Sequence, residues 1–183
     1  YRQHPDWALQ IPGRKPCRSR YQLILDMSRE DVRDYLYERM TDILDSANIE
    51  YVKWDMNRHI SDVYSALLPK ERQGEVTHRY MLGLYDLLER LTSRYPNILW
   101  EGCSGGGGRF DLGMLYYFPQ SWCSDDTDAM ERVKIQYGTS FAYPISSVGS
   151  HVSAVPNHQT GRITSLASRG VVAMAGSFGY ELD

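Results

Sequence analysis

The chain has 183 residues, 42% hydrophobic and 23% charged, a composition typical of a globular protein with a buried core and not of a disordered chain. Its net charge of −3 and its scattered lysines and arginines provide no general attraction for polyanions, so we expect no nucleic-acid partner. No apolar run approaches the roughly 20 residues that cross a bilayer, and residues 1–6 do not form a signal peptide, so we expect no membrane partner.

The cysteines and the termini give two further expectations. Cys17, Cys103 and Cys123 are an odd number without CxxC spacing, which indicates neither a disulfide framework nor a zinc site and favours a reducing cytoplasm. The sequence begins without methionine and stops in an apolar segment at residues 178–183. We therefore expect it to be a piece of a longer protein.

Apolar periodicity predicts strands that alternate with helices along the chain. A first strand is expected at 21–26, followed by a helix whose N-cap is Ser28. The later predicted elements are, in chain order, a strand at 51–55, a helix at 77–95, strands at 98–103 and 121–125, a helix at 129–137, a strand at 141–146, a polar loop, a helix at 162–169 and a strand at 171–180.

This alternation implies a parallel sheet with right-handed crossovers. A doubly wound sheet and a (β/α)8 barrel both satisfy it, but only a barrel brings functional residues from most strands to one mouth. Asp26, Asp55, Cys103 and Asp125 all lie at predicted strand ends. We therefore predict an α/β fold, a partial (β/α)8 TIM barrel with six strands.

Asp55, at the end of Tyr-Val-Lys-Trp-Asp, is the first candidate catalytic acid. Lys53 lies two residues earlier on the same side of the strand, and a cation there stabilises the ionised carboxylate that a nucleophile needs. Two other readings remain open: Asp55 caps the following turn, and Lys53 is a structural ion-pair partner.

Asp125 is the second candidate, in a run with Asp126 and Asp128. Capping of the helix at Ala129 needs only one acid, which suits Asp128, and like charges nearby would give Asp125 the raised pKa of a general acid. Clustered acids also bind Mg²⁺ or Ca²⁺, but the EF-hand spacing is missing, so we expect no metal and no cofactor.

The run of glycines from 105 to 108 matches neither phosphate-binding pattern. It is either a tight loop with positive φ angles or a place where backbone approaches a sugar ring. Trp54, Trp100 and Trp122 could stack on that ring or belong to the core. His151 and His158 lack HExxH spacing, and we expect a structural role for both. Two carboxylates with glycines and tryptophans at a barrel mouth indicate glycoside hydrolysis.

Four motifs carry a resemblance to a known family: Lys-Trp-Asp-Met-Asn-Arg at 53–58, Cys-Ser-Gly-Gly-Gly-Gly-Arg-Phe-Asp at 103–111, Trp-Cys-Ser-Asp-Asp-Thr-Asp at 122–128, and Gly-Ser-His-Val-Ser-Ala-Val-Pro-Asn-His-Gln at 149–159. In this order they resemble the microbial α-galactosidases of glycoside hydrolase family 36. The resemblance runs from His4 to Asp183. It implies that residues 1–183 are the C-terminal part of a (β/α)8 catalytic domain, without the family's flanking β domains and its early pair of substrate-binding acids.

The resemblance also implies residue roles. Asp55 corresponds to the nucleophile and Asp125 to the acid/base, in agreement with the choices made from position alone. The galactose-binding residues of the family correspond to Arg20, Lys53, Trp54, Met56, Asn57, Cys103 and Gly106. Around Arg20 the sequence is Ser-Arg-Tyr-Gln where the family has Gly-Arg-Asn-Gln, so Tyr21 departs from the pattern.

The function implied is retaining hydrolysis of terminal α-1,6-linked galactose in melibiose- and raffinose-type sugars, in a longer and homo-oligomeric parent protein. Three alternatives stay open: an α-N-acetylgalactosaminidase, a galactosyl transferase, and an inert fragment or binding module. A phosphate-binding module based on the glycine run is a further rival.

Overall fold

The computed structural model describes residues 1–182, so Asp183, the last residue of the predicted domain, lies outside the described residues. The chain forms two compact units. The first consists of Tyr1–Glu50 and Asn57–Ile98, and the second of Tyr51–Met56 and the chain from Leu99 onward. Within residues 1–182, no helix combines the length and apolar character needed to cross a membrane.

The first unit is built on two helices, α1 (Glu30–Leu44) and α2 (Val76–Arg94), with short 3-10 helices at Pro5–Trp7 and Lys70–Glu75. Helix α2 buries the apolar face that its periodicity predicts, formed by Tyr80, Leu84, Leu87, Leu88 and Leu91. Ion pairs link α1 to α2, among them Arg33 with Asp86 at 2.9 Å.

Two predictions for this unit are wrong. Residues 21–26 form no strand. This segment makes two isolated antiparallel bridges, Gln22 with Ser19 and Leu25 with Ala8. Ser28 is not the N-cap, because α1 begins after Arg29 and the Ser28 hydroxyl instead donates to the buried carboxylate of Asp26 at 2.6 Å. The propensity pattern missed this because Asp26 competes with the helix N-terminus for the serine.

The second unit contains one parallel sheet whose strands are neighbours in chain order. Its strands are β1 (Tyr51–Asp55), β2 (Leu99–Cys103), β3 (Gln120–Trp122), β4 (Val148–Ser153) and β5 (Ser177–Glu181), and its helices are α3 (Leu112–Tyr117), α4 (Ala129–Ser140) and α5 (Leu166–Ala173). The five strands curl into a half-barrel. Uninterrupted order without a reversal is barrel winding, so the predicted partial (β/α)8 barrel is confirmed, whereas a doubly wound sheet reverses its strand order.

The sheet has five strands where six were predicted, and several boundaries differ. Residues 141–146 are not a strand: Phe141 is the C-cap of α4, and Pro144, which has no N–H to donate to a ladder, precedes a 3-10 turn at Ile145–Ser147. The predicted last strand, at 171–180, overlaps the end of α5, and the strand itself begins only at Ser177. Strand β3 ends at Trp122, so Asp125 lies three residues past the strand and not within it.

Aromatic rings pack on one face of the sheet. The rings of Trp100 and Phe118 are stacked at 5.9 Å, and Trp54 lies 6.0 Å from Phe118 and 6.4 Å from Trp100. Because side chains alternate along a strand, the residues next to Trp54 and Trp100 point to the opposite face. Trp100 is therefore part of the core, as one of the two interpretations of the sequence allowed, and the half-buried Trp54 packs against it.

Candidate active site

The register of β1 against β2 brings the first candidate residues together. Asp55 is paired with Cys103, and Lys53 is paired with Glu101. Residues two apart in a strand share a face, so these four side chains form a group on the sheet face opposite Trp54.

The thiol of Cys103 is a neighbour of the Asp55 carboxylate. Cys103 is only 3% exposed, and this burial, together with the hydrogen bond to Asp55 and the charge of Asp55, raises the pKa of the thiol to about 11. The backbone near Gly106 and the Lys53 ammonium act in the opposite direction but are outweighed. At neutral pH Cys103 is thus protonated and donates to the candidate nucleophile.

Lys53 forms an ion pair with Glu101, whose side chain is fully buried. The ammonium Nζ lies 3.6 Å from Glu101 Oε1 and 4.4 Å from the centroid of the Trp122 ring. The other carboxylate oxygen accepts from the Tyr51 hydroxyl and the Gln120 amide, while burial and the bond to Glu101 raise the pKa of Tyr51. The structural ion pair that the sequence left open therefore exists, with Glu101 as the partner.

The glycine run after β2 packs directly against the loop that carries Asp125. Gly105 and Gly106 have φ angles of +53° and +81°, as the tight-loop reading requires. A Cβ added to Gly106 would lie 2.8 Å from Ser124 Cα and 2.9 Å from Asp125 N, and one on Gly107 would lie 2.7 Å from the Cys123 carbonyl oxygen. The missing side chains thus allow the loop after β2 and the loop after β3 to touch.

The three acids of that second loop have different surroundings. Asp128 is the N-cap of α4 and accepts from the backbone N–H groups of Met130 at 2.8 Å and Glu131 at 3.4 Å. Burial by itself would raise its pKa, but these bonds, the Thr160 hydroxyl and the Arg162 guanidinium outweigh burial and lower it. The predicted cap is confirmed, and the Asp125 side chain is exposed.

The polar loop after β4 anchors the same segment. Gln159 accepts from the backbone N–H of Thr127 at 3.2 Å, and Asn157 donates to the Thr127 hydroxyl at 2.9 Å. The His151 ring lies 4.6 Å from the Trp122 ring and its Nδ1 lies 3.5 Å from Glu181, while His158 is exposed. The fourth sequence motif therefore supports the loop of Asp125 through amides.

The remaining predicted residues are distributed differently. Met56 is joined to the end of β2, since its N–H donates to the Cys103 carbonyl at 3.1 Å and its own carbonyl accepts from Ser104 at 2.8 Å. Trp54 lies in the aromatic cluster on the other face and is not brought together with Lys53 and Asp55. Arg20 and Asn57 belong to the first unit.

Within the first unit, the segment of Arg20 is held by the residues that follow Asn57. Arg20 is exposed with a φ of 49°, and Tyr21, the position that departs from the family motif, has a φ of 61°. The buried Arg58 donates to the Cys17 carbonyl at 2.8 Å, and Asp62 accepts from the Cys17 N–H at 2.9 Å. The last residue of the Lys-Trp-Asp-Met-Asn-Arg motif is therefore structural.

Sequence reasoning missed two charged residues in the second unit. Glu101 lies inside the otherwise apolar Leu-Trp-Glu-Gly-Cys strand, where a buried charge needs a partner. Arg132 lies in the first turn of α4, the end of a helix that disfavours cations. Both unusual positions could have been recognised from the sequence, although the residues that bind these two side chains could not. In residues 1–182 no three His, Cys, Asp or Glu side chains are grouped to hold a metal.

Comparison with known proteins gives consistent matches over the whole chain. The family model described as Melibiase matches residues 1–183. α-Galactosidase AgaA of Geobacillus stearothermophilus is 64% identical and α-galactosidase 1 of Pediococcus pentosaceus 62% identical, each over 183 residues, or all of this chain. The chain spans about a quarter of the length of these curated relatives.

Solved structures of α-galactosidases also match the whole chain. A crystal structure of a variant of the family 36 α-galactosidase AgaA in complex with raffinose superposes with a TM-score of 0.97 at 63% identity, covering all of this chain and 26% of that one. The α-galactosidase of Lactobacillus brevis gives a TM-score of 0.97 at 56% identity, covering all of this chain and 25% of that one. The sequence motifs, the half-barrel and these matches lead to one conclusion: the chain belongs to the melibiase family.

Proposed function

We propose that the full-length protein containing this chain is a retaining α-galactosidase that removes terminal α-1,6-linked galactose from melibiose- and raffinose-type sugars. The observation that carries the proposal is the junction of the two strand-end loops. Asp55 contacts Cys103 at the end of β2, and the glycine run that follows Cys103 touches the backbone at Asp125.

The relatives support the choice of substrate. Variants of AgaA have been crystallised in complex with raffinose and with stachyose, and the chain is 63% identical to both of these proteins. Raffinose and stachyose both end in an α-1,6-linked galactose.

In the proposed reaction, Asp55 attacks C1 of the galactose while Asp125 donates its proton to the departing glycosidic oxygen. A covalent galactosyl-enzyme forms on Asp55 and the leaving sugar departs as the alcohol. Asp125, now ionised, takes a proton from water as the water attacks C1 and releases Asp55. Two displacements at C1 restore the original anomeric configuration.

The chain also supplies part of the proposed galactose site. Cys103 in its protonated form donates to Asp55, which holds the nucleophile in one orientation. Lys53 adds a positive charge on the same face, held by Glu101 and Trp122. By family correspondence Arg20, Asn57, Met56 and Gly106 would contact the sugar. We place Trp54 behind the site, since it lies in the aromatic cluster on the other face of the sheet.

The test uses Asp55→Ala in the full-length protein. We expect hydrolysis of an activated aryl α-galactoside to be abolished, because no covalent intermediate can form. Azide, small enough to enter the space left by the carboxylate, should restore turnover and give β-galactosyl azide. NMR of the wild-type reaction should show α-galactose as the first product.

The matched control is Asp86→Asn, which removes an exposed acid that pairs with Arg33 on the surface of α2. It should hydrolyse the substrate as the wild type does. Unimpaired hydrolysis by Asp55→Ala would rule out this nucleophile. A parallel assay in which the aryl α-N-acetylgalactosaminide is preferred would reject the galactoside specificity.

A further inference from the structure

Arg132 is a buried arginine that the reaction scheme above does not use. It lies in the first turn of α4 and is only 4% exposed. Burial lowers the pKa of its guanidinium. The N-terminal end of a helix carries positive partial charge, so a cation there is unfavourable unless specific contacts compensate for it.

The guanidinium makes those contacts with backbone carbonyls. Its Nη2 donates to the Ser124 carbonyl at 2.8 Å and its Nε to the Asp126 carbonyl at 2.7 Å, one on each side of Asp125. Its Nη1 donates to the Gly149 carbonyl of β4 at 3.1 Å and to Cys123 Sγ at 3.0 Å. The planar group lies 4.2 Å from the centroid of the Trp122 ring, which covers its face.

These bonds fix the backbone of Asp125 from one side, and the glycine loop limits it from the other. The guanidinium is a rigid planar fork, so bonds from Nε and Nη2 set the two carbonyls at a defined separation. Gly106 packs against Ser124 Cα and the Asp125 backbone nitrogen. The Asp125 side chain itself remains exposed and available to a substrate.

We propose that Arg132 is a positioning residue that fixes Asp125 for proton transfer to the leaving group, an inference that rests on the proposed function. A general acid must lie within about 2.6 to 3.2 Å of the atom it protonates, so the loop has to be held to well under an ångström. Lysine cannot replace the fork, because its single ammonium cannot bind three carbonyls in one plane.

Two substrates of the full-length protein separate positioning from a general effect on folding. The sucrose released from raffinose would be an unstable alkoxide and requires a proton from Asp125, whereas the 2,4-dinitrophenyl group of an aryl α-galactoside departs as a stable phenolate and needs no proton. For Arg132→Lys we expect kcat/KM for raffinose to fall about 100-fold, as a general acid displaced by about an ångström would lose. The value for the dinitrophenyl substrate should stay within a few-fold of wild type.

A second readout follows from the second step. Water needs Asp125 as a base, but azide does not, so azide should raise kcat of Arg132→Lys on the dinitrophenyl substrate and yield α-galactosyl azide. Arg132→Gln, neutral and shorter, provides a second variant whose folding is checked by circular dichroism. Asp125→Ala is the positive control: it should show both the selective loss of kcat/KM for raffinose and the acceleration by azide on the dinitrophenyl substrate.

Arg162→Lys is the matched control: Arg162 pairs with Asp128 and Glu131 at the start of α4 and its side chain is 40% exposed. It should change kcat/KM for the two substrates by the same factor, which should be no more than a few-fold. If the wild type fails to cleave raffinose, or if Asp125→Ala does not lose activity selectively on raffinose, the proposed function fails. The positioning role of Arg132 then fails with it.

Suppose that Asp125→Ala loses kcat/KM for raffinose but not for the dinitrophenyl substrate. If the Arg132 variants then lower kcat/KM equally for both substrates, or for neither, the positioning role of Arg132 is overturned while the proposed function stands. Failure of both Arg132 variants to fold would also overturn it, since Arg132 would then serve the fold and not the loop.

Discussion

Cys103 is an unusual neighbour for Asp55, the proposed nucleophile, because a thiol is itself a potential nucleophile. Its thiolate would place a second negative charge beside Asp55, and the buried surroundings would not solvate it. Both effects favour the protonated thiol, whose pKa is raised to about 11. Ionisation of Cys103 would therefore remove the donor that holds Asp55, and the raised pKa keeps it from ionising at any physiological pH.

Thiol labelling should reveal this protonation. At pH 8 we expect iodoacetamide to modify the exposed Cys17 and to leave Cys103 unmodified, because only the thiolate reacts and Cys103 ionises only near pH 11. Peptide mass spectrometry of the native full-length protein would measure both rates. Denatured protein is the control and should be labelled at every cysteine. Equal rates for Cys17 and Cys103 in native protein would contradict the prediction.

Among the elements, the loops after β2 and β3 hold the candidate site together. Glycines let the first loop approach the second closely. The second loop accepts hydrogen bonds from Arg132 of α4 and from Asn157 of the loop after β4, and its Thr127 N–H donates to Gln159 of that same loop. Neither loop has regular structure, yet each is fixed by contacts on two sides. Precision at Asp125 thus depends on neighbouring loops and not on a strand.

Gly106→Ala tests the contact between these loops. An L-residue at a φ of +81° costs about 1 to 2 kcal/mol, and the new Cβ would lie 2.8 Å from Ser124 Cα. Because backbone must move at Asp125, we expect kcat/KM for raffinose in the full-length protein to fall about 10- to 100-fold, the larger loss for a displacement of about an ångström. The variant should also unfold at a lower temperature than the wild type.

Gly138→Ala is the control for this substitution, since Gly138 lies inside α4 with nothing within 4 Å of its added Cβ. There alanine should leave activity unchanged and add roughly 0.5 to 1 kcal/mol to the free energy of unfolding. Wild-type activity in Gly106→Ala would show that the loops do not need this close approach.

The elements also show what sequence patterns can predict. Strand β1 and the core face of α2 are found where predicted, because each is a local run with one period. The strand predicted at residues 141–146 is absent because an apolar stretch at the end of a helix resembles a strand, and the break that Pro144 imposes was not taken into account. The partners of Glu101 and Arg132 come from several strands and loops, so no local pattern could reveal them.

For the molecule as a whole, the described sheet of the second unit is a half-barrel with two open edges. In the described sheet, β1 and β5 each have a neighbour on one side only. Large apolar side chains are exposed in the second unit, including Phe141 at 76% and Leu112 at 73%. Parallel sheets are normally covered on both faces and open edges favour association.

We therefore expect the isolated 183-residue chain to have little activity and to associate or aggregate. Size-exclusion chromatography with light scattering, compared with the full-length protein at the same concentration, would measure the association. Raffinose hydrolysis under the same conditions would measure the activity. A monodisperse monomer of the isolated chain that hydrolyses raffinose well would refute the expectation.

The register of β1 links the proposed catalytic role of this strand to folding, in a way that also bears on evolution. Lys53 and Asp55 face one side of the sheet and Trp54 the other, so insertion or deletion of one residue within β1 would exchange the two sets. A carboxylate would then enter the aromatic cluster, and an indole would take the place of Asp55, the proposed nucleophile. Length variation within this strand should be eliminated twice over, once by loss of stability and once by loss of activity, even where substitutions are accepted.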